Sequence, residues 1–443
     1  MKRREFLQRT AAAIAAPMII PASALGKDGT VAPSDRIVFG CIGVGGQGQH
    51  NMRAFINEPD TQIVALCDVD DGKQRDQIQG LKRGLSEAIG TYKNKGVSVS
   101  KKDFALYHDF RELLERRDID AVTVCTPDHW HGTITQAALK AGKDVYCEKP
   151  LVNTIAEGRA VVDAVARYGR VLQTGSHERS NNSVRFAWEL VNNGRIGELQ
   201  KIIVNMPNSD DHHQQLRHEK GPHPEMPVPK GFDYNMWLGP ARWAPYTKMR
   251  THFWWRFILE TGGGEMTDRG AHIIDLGQFI NNSDDSGPIH FEARGEQVES
   301  DLFDAFIEYE FTCKYSNGVT LVGTSKGDRG LKLIGSDGWI FIHIHGGRLE
   351  ASDPRILRDK IGADEKHTEY SPGHHRNFLN SVISRKKPIA HEGIGHRTAT
   401  ICHLLNIGML LDKPFDWNPV TEQSSDADVN AMLSRPARDA WKI

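Results

Sequence analysis

Cysteine is scarce and scattered. The six residues stand at positions 41, 67, 125, 147, 313 and 402 with no C-x-x-C pair, which excludes a disulfide framework as the basis of the fold. Charge of one sign is not in excess either. Lys and Arg number 55 against 57 Asp and Glu, and the basic residues are dispersed, which removes a nucleic-acid surface from consideration. No internal repeat of solenoid or propeller period is present. Beyond the amino-terminal segment no apolar run is long enough to span a bilayer, so the mature form is expected to have no membrane segment.

What is present begins with a charged start, Lys2-Arg3-Arg4-Glu5-Phe6-Leu7, followed by a weakly apolar run from Ala11 to Ile20. Pro21-Ala22-Ser23-Ala24 then supplies the small-residue pattern that a signal peptidase reads. An anchoring or disordered leader is the alternative, but the apolar run is too short to cross a membrane. Residues 1–34 are therefore expected to be a twin-arginine signal peptide and linker, cleaved near Ala24, with the protein exported to the periplasm by the twin-arginine machinery. That route carries folded proteins, which agrees with cysteines used as small buried hydrophobes rather than as cross-links. Cleavage leaves roughly 420 residues, enough for two domains with sizeable cores.

From Asp35 the chain alternates short apolar strands with helical stretches, the signature of a parallel sheet covered on both faces. Residues 36–42, 62–67, 120–125 and 144–147 read as strands, and 47–57 and 134–141 as helices. Residues 78–102 read as a helix plus a surface insertion. Between the first strand and first helix lies Gly43-Val44-Gly45-Gly46-Gln47-Gly48. A lone glycine turn is weak evidence, but this one follows a strand, opens a helix and is answered by Asp68 at the end of the next strand. Gly43 permits the tight turn, Gly45 and Gly46 let backbone approach a pyrophosphate, and Gly48 lets helix and strand pack. The helix start, with Gln47, would meet phosphate. Asp68 would accept from ribose hydroxyls and repel a 2′-phosphate, favouring NAD over NADP. A turn cap before Asp70 and Asp71 is the competing role for Asp68. Residues 35–154 are assigned to this nucleotide-binding domain.

Two further motifs suggest chemistry. Glu148-Lys149-Pro150 follows a strand, at the sheet edge where ligands of such folds bind, and proline stops the strand there. Thr126, Pro127 and His131, in Cys125-Thr126-Pro127-Asp128-His129-Trp130-His131, stand on the same edge as cofactor candidates or as parts of a helix-capping loop. The second motif is Gly262-Gly263-Gly264-Glu265-Met266-Thr267-Asp268-Arg269-Gly270-Ala271-His272-Ile273-Ile274-Asp275. Asp268 and His272, four apart, share one helix face. They form either a proton acceptor with its partner or a surface ion pair.

Residues 155–415 are assigned to a second α/β domain. Its strands are expected at 199–206, 288–296, 304–312, 318–324, 331–335 and 338–345, and its late helices near 374–384 and 395–411. Residues 416–443 read as an irregular tail packing on the body. Residues 207–231, rich in His and Asp, match no standard metal spacing. They read as a solvated loop, and no metal is expected. Among the aromatic residues, Tyr246 and Trp255 are candidates for stacking on a sugar, with ordinary core as the alternative. Arg179 reaches either substrate or an intramolecular ion pair.

Taken as an ordered set, the glycine turn, Thr126-Pro127-Asp128-His129-Trp130-His131, Glu148-Lys149-Pro150 and the Gly262–Asp275 motif resemble the glucose–fructose oxidoreductase/inositol dehydrogenase/rhizopine catabolism (Gfo/Idh/MocA) family. Trp237-Leu238-Gly239-Pro240 and the Arg435–Trp441 tail resemble its exported branch. The resemblance implies an N-terminal Rossmann domain followed by an α/β domain with a large, open, mostly antiparallel sheet that often forms subunit contacts, hence a homo-oligomer, dimer or tetramer. It implies that Lys149 contacts substrate and the nicotinamide ribose, with Glu148 on the cofactor side. Asp268 and His272 are implied as carboxylate and acid/base. The expected activity is NAD(P)-dependent oxidation of a sugar, polyol or glycoside hydroxyl with tightly bound NAD. A redox-neutral glycoside-cleaving enzyme, from a branch understood to lack an intact Glu-Lys-Pro, is the alternative. A nucleotide-bound sugar sensor without turnover is the third.

Overall fold

The computed structural model describes residues 31–72, 80–438 and 441. The expected leader and its cleavage point lie outside the described residues. The first sheet contains β1 (Ile37–Ile42), β2 (Thr61–Cys67), β3 (Ala105–Tyr107), β4 (Ala121–Val124), β5 (Asp144–Cys147) and β6 (Leu172–Thr174). Their order is β3-β2-β1-β4-β5-β6, and every pair is parallel. β4 and β5 are buried along their whole length, as expected of strands with helices on both faces. β6, entered through the helix Ile155–Tyr168, extends this sheet to Thr174, past residue 154 where the sequence reading ends the first domain.

The helix Gly46–Asn57 starts directly behind the glycine turn, and its Phe55 stacks on Phe39 of β1 at 4.6 Å between ring centres. The helix in the 78–102 stretch is Leu81–Asn94. Cys41, Cys67 and Cys147 lie inside strands, whereas Cys125 stands just past β4; all six cysteines are free. Burial pushes the Cys41 thiol up to about 12, so it behaves as a small hydrophobe.

The second sheet has nine strands. They are β7 (Leu199–Asn205), β8 (His290–Gln297), β9 (Phe306–Lys314), β10 (Thr320–Thr324), β11 (Gly330–Gly335), β12 (Trp339–His343), β13 (Leu349–Ala351), β14 (Phe415–Asn418) and β15 (Gln423–Ser424). The order is β13-β12-β11-β7-β10-β9-β8-β14-β15. Only β7 with β10 is parallel; the other pairs are antiparallel. Burial alternates along β9, β10 and β11, so one face packs and the other is open. Ile202, Leu321 and Leu331 of the packed face share a core with Ile273 and Ile274 of the helix Gly270–Ile280 and with Ile401 and Leu404 of the helix Glu392–Leu411.

Two expectations are corrected. The tail is not irregular: β14 pairs with β8, and the helix Ala427–Ala431 follows. Residues 207–231 are not simply a solvated loop, because they contain the helix Asp211–His218, whose His213 is fully buried against Glu265 at 2.8 Å.

Glu422 fastens the tail to the body through Arg159 (2.5 Å), His396 (2.7 Å) and Arg397 (3.2 Å). Burial alone would raise its carboxyl, but hydrogen bonds from His396 and Arg159 outweigh that and hold it at about 2 instead of 4.5. A carboxyl depressed by folding adds stability that is fully present above pH 4.5 and lost as pH falls toward 2. Glu422→Gln is therefore expected to lower the melting temperature most above pH 4.5, with the difference from the parent closing toward pH 2. A pH-independent difference in thermal melts would contradict this.

Candidate active site

The carboxyl ends of β1, β2, β4 and β5 open onto a cleft of about 720 Å³, a size suited to a small ligand with its cofactor. On one side is the glycine turn. Gly43 has φ +78°, and a Cβ there would lie 2.6 Å from the Cys125 carbonyl oxygen. A Cβ on Gly48 would lie 2.0 Å from the Gly43 carbonyl oxygen. Neither position admits a side chain without moving backbone. Gly45 caps the following helix without any side-chain bond to its first amides, which leaves those N–H groups for an anion.

Asp68 faces this turn. Its Oδ2 accepts from the Val44 N–H and its Oδ1 from the Asp70 N–H, both at 3.0 Å. Burial pushes the carboxyl up to about 6 against those amides. The turn-cap role is the one seen, and each carboxylate oxygen keeps a second lone pair open to a further donor. The cradle a Cβ would fill, the uncapped helix start and this carboxylate together fit a dinucleotide.

Glu148 is buried and held by Asn51 (2.7 Å) and Gln47 (3.2 Å), tying the Glu-Lys-Pro motif to the helix after the glycine turn. The Lys149–Pro150 peptide is cis. Lys149 Nζ donates to the Asp268 carboxylate and to the Asp268 carbonyl at 2.9 Å. Arg256 Nε stands 3.8 Å from the same carboxylate. Burial alone would raise the Asp268 carboxyl, but Lys149 and Arg256 outweigh it and hold it well below the usual range. Asp268 ends the helix Gly264–Asp268, and His272 lies in the first turn of the helix Gly270–Ile280. Both line the cleft. Burial, then Lys149, His177 and His345, keep the His272 imidazole neutral, far below its ordinary value. Its Nδ1 is buried and has no hydrogen-bond partner among the described residues.

A glycine-cradled dinucleotide site therefore shares one cleft with a lysine–aspartate pair and a neutral histidine. Residues 37–176 match the family described as "Oxidoreductase family, NAD-binding Rossmann fold", and residues 180–443 match its "C-terminal alpha/beta domain". The chain belongs to the Gfo/Idh/MocA oxidoreductase family. Its cofactor is NAD.

Among curated relatives, this Gfo/Idh/MocA chain is 27% identical over 161 residues to inositol 2-dehydrogenase of Salmonella typhimurium, covering 36% of this chain and 42% of that protein. It is 31% identical over 173 residues to glycosyl hydrolase family 109 protein 2 of Shewanella sp. strain ANA-3, covering 39% and 35%. The matched stretches span less than half the length of these relatives. Among solved structures, a dehydrogenase from Bordetella pertussis in complex with NADH and UDP-GlcNAcA shares the fold. The TM-score is 0.59 at 15% identity, covering 86% of this chain and 98% of that one.

Not every expected residue meets the cleft. Thr126, Pro127 and His131 line it. His131, however, is bound by its own neighbours, Pro150 O at 2.6 Å and Thr126 O at 2.8 Å, and so orders the cofactor edge from behind. Trp255 lines the cleft under the Arg256 guanidinium, 4.4 Å from its ring centre. Tyr246 does not line it; its ring packs on Phe232 and Tyr234 in a buried cluster. Arg179 is drawn inward: its guanidinium bonds Asp275 at 2.7 and 2.9 Å and Asp284 at 2.7 Å, with 1% of its side chain exposed. Of its two readings, the intramolecular ion pair is the one seen. Asp275 is committed to Arg179 and to Thr398 (2.8 Å), so it does not orient His272.

Among the cleft residues that the sequence does not single out, four carry charge or a titratable ring beside the Lys149–Asp268 pair or His272. Arg256 follows Trp255, whose ring reads as a sugar-stacking face or as core, and His345 sits in a segment read as plain strand. His177 is two residues from the arginine favoured in its place. Asp128, whose carboxyl burial pushes up to about 8, lies within the Thr126–His131 motif itself.

Proposed function

We propose that this oxidoreductase removes hydride from a CH–OH carbon of a sugar, polyol or glycoside and keeps NAD in the cleft between turnovers. The observation that carries the reading is the convergence of Lys149, Asp268 and His272 on the cleft that contains the glycine turn. His272, neutral and buried, accepts the proton of the substrate hydroxyl. Lys149, poised by Asp268, donates to the oxygen as negative charge develops there. Trp255 offers a ring face for the sugar. Bound NAD supplies the hydride acceptor. Acid–base assistance of this kind contributes about 10²–10⁴-fold, and placement beside the cofactor the remainder.

Retention of NAD follows from the proposed export through the twin-arginine leader, since free NAD is scarce outside the cytoplasm. A second sugar would then return the hydride. Subunit contacts are assigned to the open face of the nine-stranded sheet. Mature protein purified without added nucleotide is expected to carry about one NAD per chain, read by absorbance and mass after denaturation. Empty protein with weak NAD affinity would count against retention. The glycoside-cleaving alternative is favoured by the Shewanella relative. Release of a chromogenic aglycone without net NADH would select it.

A further inference from the structure

We propose that His177 Nε2, Glu178 Oε1 and His345 Nδ1 bind one first-row divalent cation of the Zn²⁺ class at the edge of the cleft. Their ligand atoms lie within 4.8 Å of one another. Glu178 Oε1 is 3.1 Å from His345 Nδ1 and 3.5 Å from His177 Nε2. Tetrahedral zinc with bonds of about 2.0–2.2 Å spaces its donors about 3.3–3.5 Å apart, so these contacts bracket one coordination edge. Two imidazoles and one carboxylate are also the donor set of open zinc sites, which leave a fourth position free.

The surroundings favour a cation. Glu178 is buried, and its side-chain partners are His177, His345 and the Asn181 amide at 3.4 Å, none of them a permanent cation. Both histidines line the cleft with nearly half of each side chain exposed (45% and 46%), so an ion can enter and keep a free position there. His345 holds a left-handed backbone (φ +65°) just past β12, a conformation uncommon away from glycine and concentrated at functional sites. The ring of His272 contacts both histidines, at 4.8 and 5.4 Å between centres. The free position therefore opens beside the acid/base histidine, where water or a substrate hydroxyl would occupy it.

A second cluster, Asp210, His212 and His213, has similar spacing. It is already neutralised: Arg329 bonds Asp210 at 2.8 Å, and Arg269 bonds both Asp210 and Glu265, the carboxylate shared by the two histidines. Guanidinium groups there repel a dication.

The test uses the mature full-length chain, free of any histidine tag and stripped with chelator, titrated with Zn²⁺ alone by equilibrium dialysis and elemental analysis. One equivalent is expected. Affinity should fall more than about tenfold in Glu178→Gln and in His345→Asn, and stay unchanged in His212→Ala. Zn²⁺ should also raise the melting temperature of the parent but not of the two cleft variants. Circular dichroism identifies any variant that fails to fold, and the two substitutions serve as independent checks. No saturable binding to the parent, or binding that survives both cleft substitutions, overturns the proposal. Neither readout depends on the oxidoreductase reaction.

Discussion

Lys149→Ala is expected to lower turnover by about 10²–10⁴-fold, equivalent to about 3–5 kcal/mol of transition-state stabilisation. The physical reason is double. The nascent alkoxide loses its donor, and Asp268 loses its nearest cation, facing only Arg256 at 3.8 Å. A carboxylate held ionised beside a developing negative charge then opposes the reaction it formerly supported. NAD affinity should change far less, because the glycine turn and Asp68 are untouched. Lys149→Arg keeps the charge but not the compact ammonium, and should fall between parent and alanine. Single-turnover reduction of bound NAD, followed by absorbance, reads the step directly. If Lys149→Ala reduced its cofactor as fast as the parent, the assignment of this pair to the chemistry would fail.

The second large effect concerns stability. Arg179→Met should cost about 3–5 kcal/mol, because the buried Asp275 would lose its counter-charge and keep only the Thr398 hydroxyl as a side-chain partner among the described residues. Arg179 stands beyond β6 of the first sheet, and Asp275 on the helix that carries His272, so the pair joins the two halves of the cleft. The variant should melt at lower temperature or in less denaturant, while its folded fraction keeps an ordinary KM. Unchanged stability with a raised KM would mean that Arg179 binds substrate after all.

Arg179 also shows why the site was only partly legible. Its sequence neighbourhood, Gly175-Ser176-His177-Glu178-Arg179, offers three ionisable side chains in succession. Which of them turned inward depended on where Asp275 and Asp284 arrived, about a hundred residues later. His177 was left to the cleft, and Glu178 was placed under His345. The same holds for Tyr246 and Trp255: both rings belong to one buried cluster, yet only Trp255 also lines the cleft.

Local chemistry, by contrast, was readable from the chain itself. The parallel sheet followed from short apolar runs alternating with helices, and the dinucleotide turn from glycines whose missing Cβ the backbone demands at Gly43 and Gly48. The Glu-Lys-Pro strand end was legible for the same reason, since it depends on adjacent residues; the Asp268/His272 pair was not one helix face, because the helix breaks at Arg269 and the two stand on successive helices. Tertiary packing chose the rest: the mate of each buried charge, the imidazoles that surround His272, the docking of the tail as strands, and the meeting of Lys149 with Asp268. Those choices rest on contacts between distant segments, and desolvation makes them all-or-none. A charge carried inward must find a counter-charge there, and no neighbour in sequence reveals which one it meets.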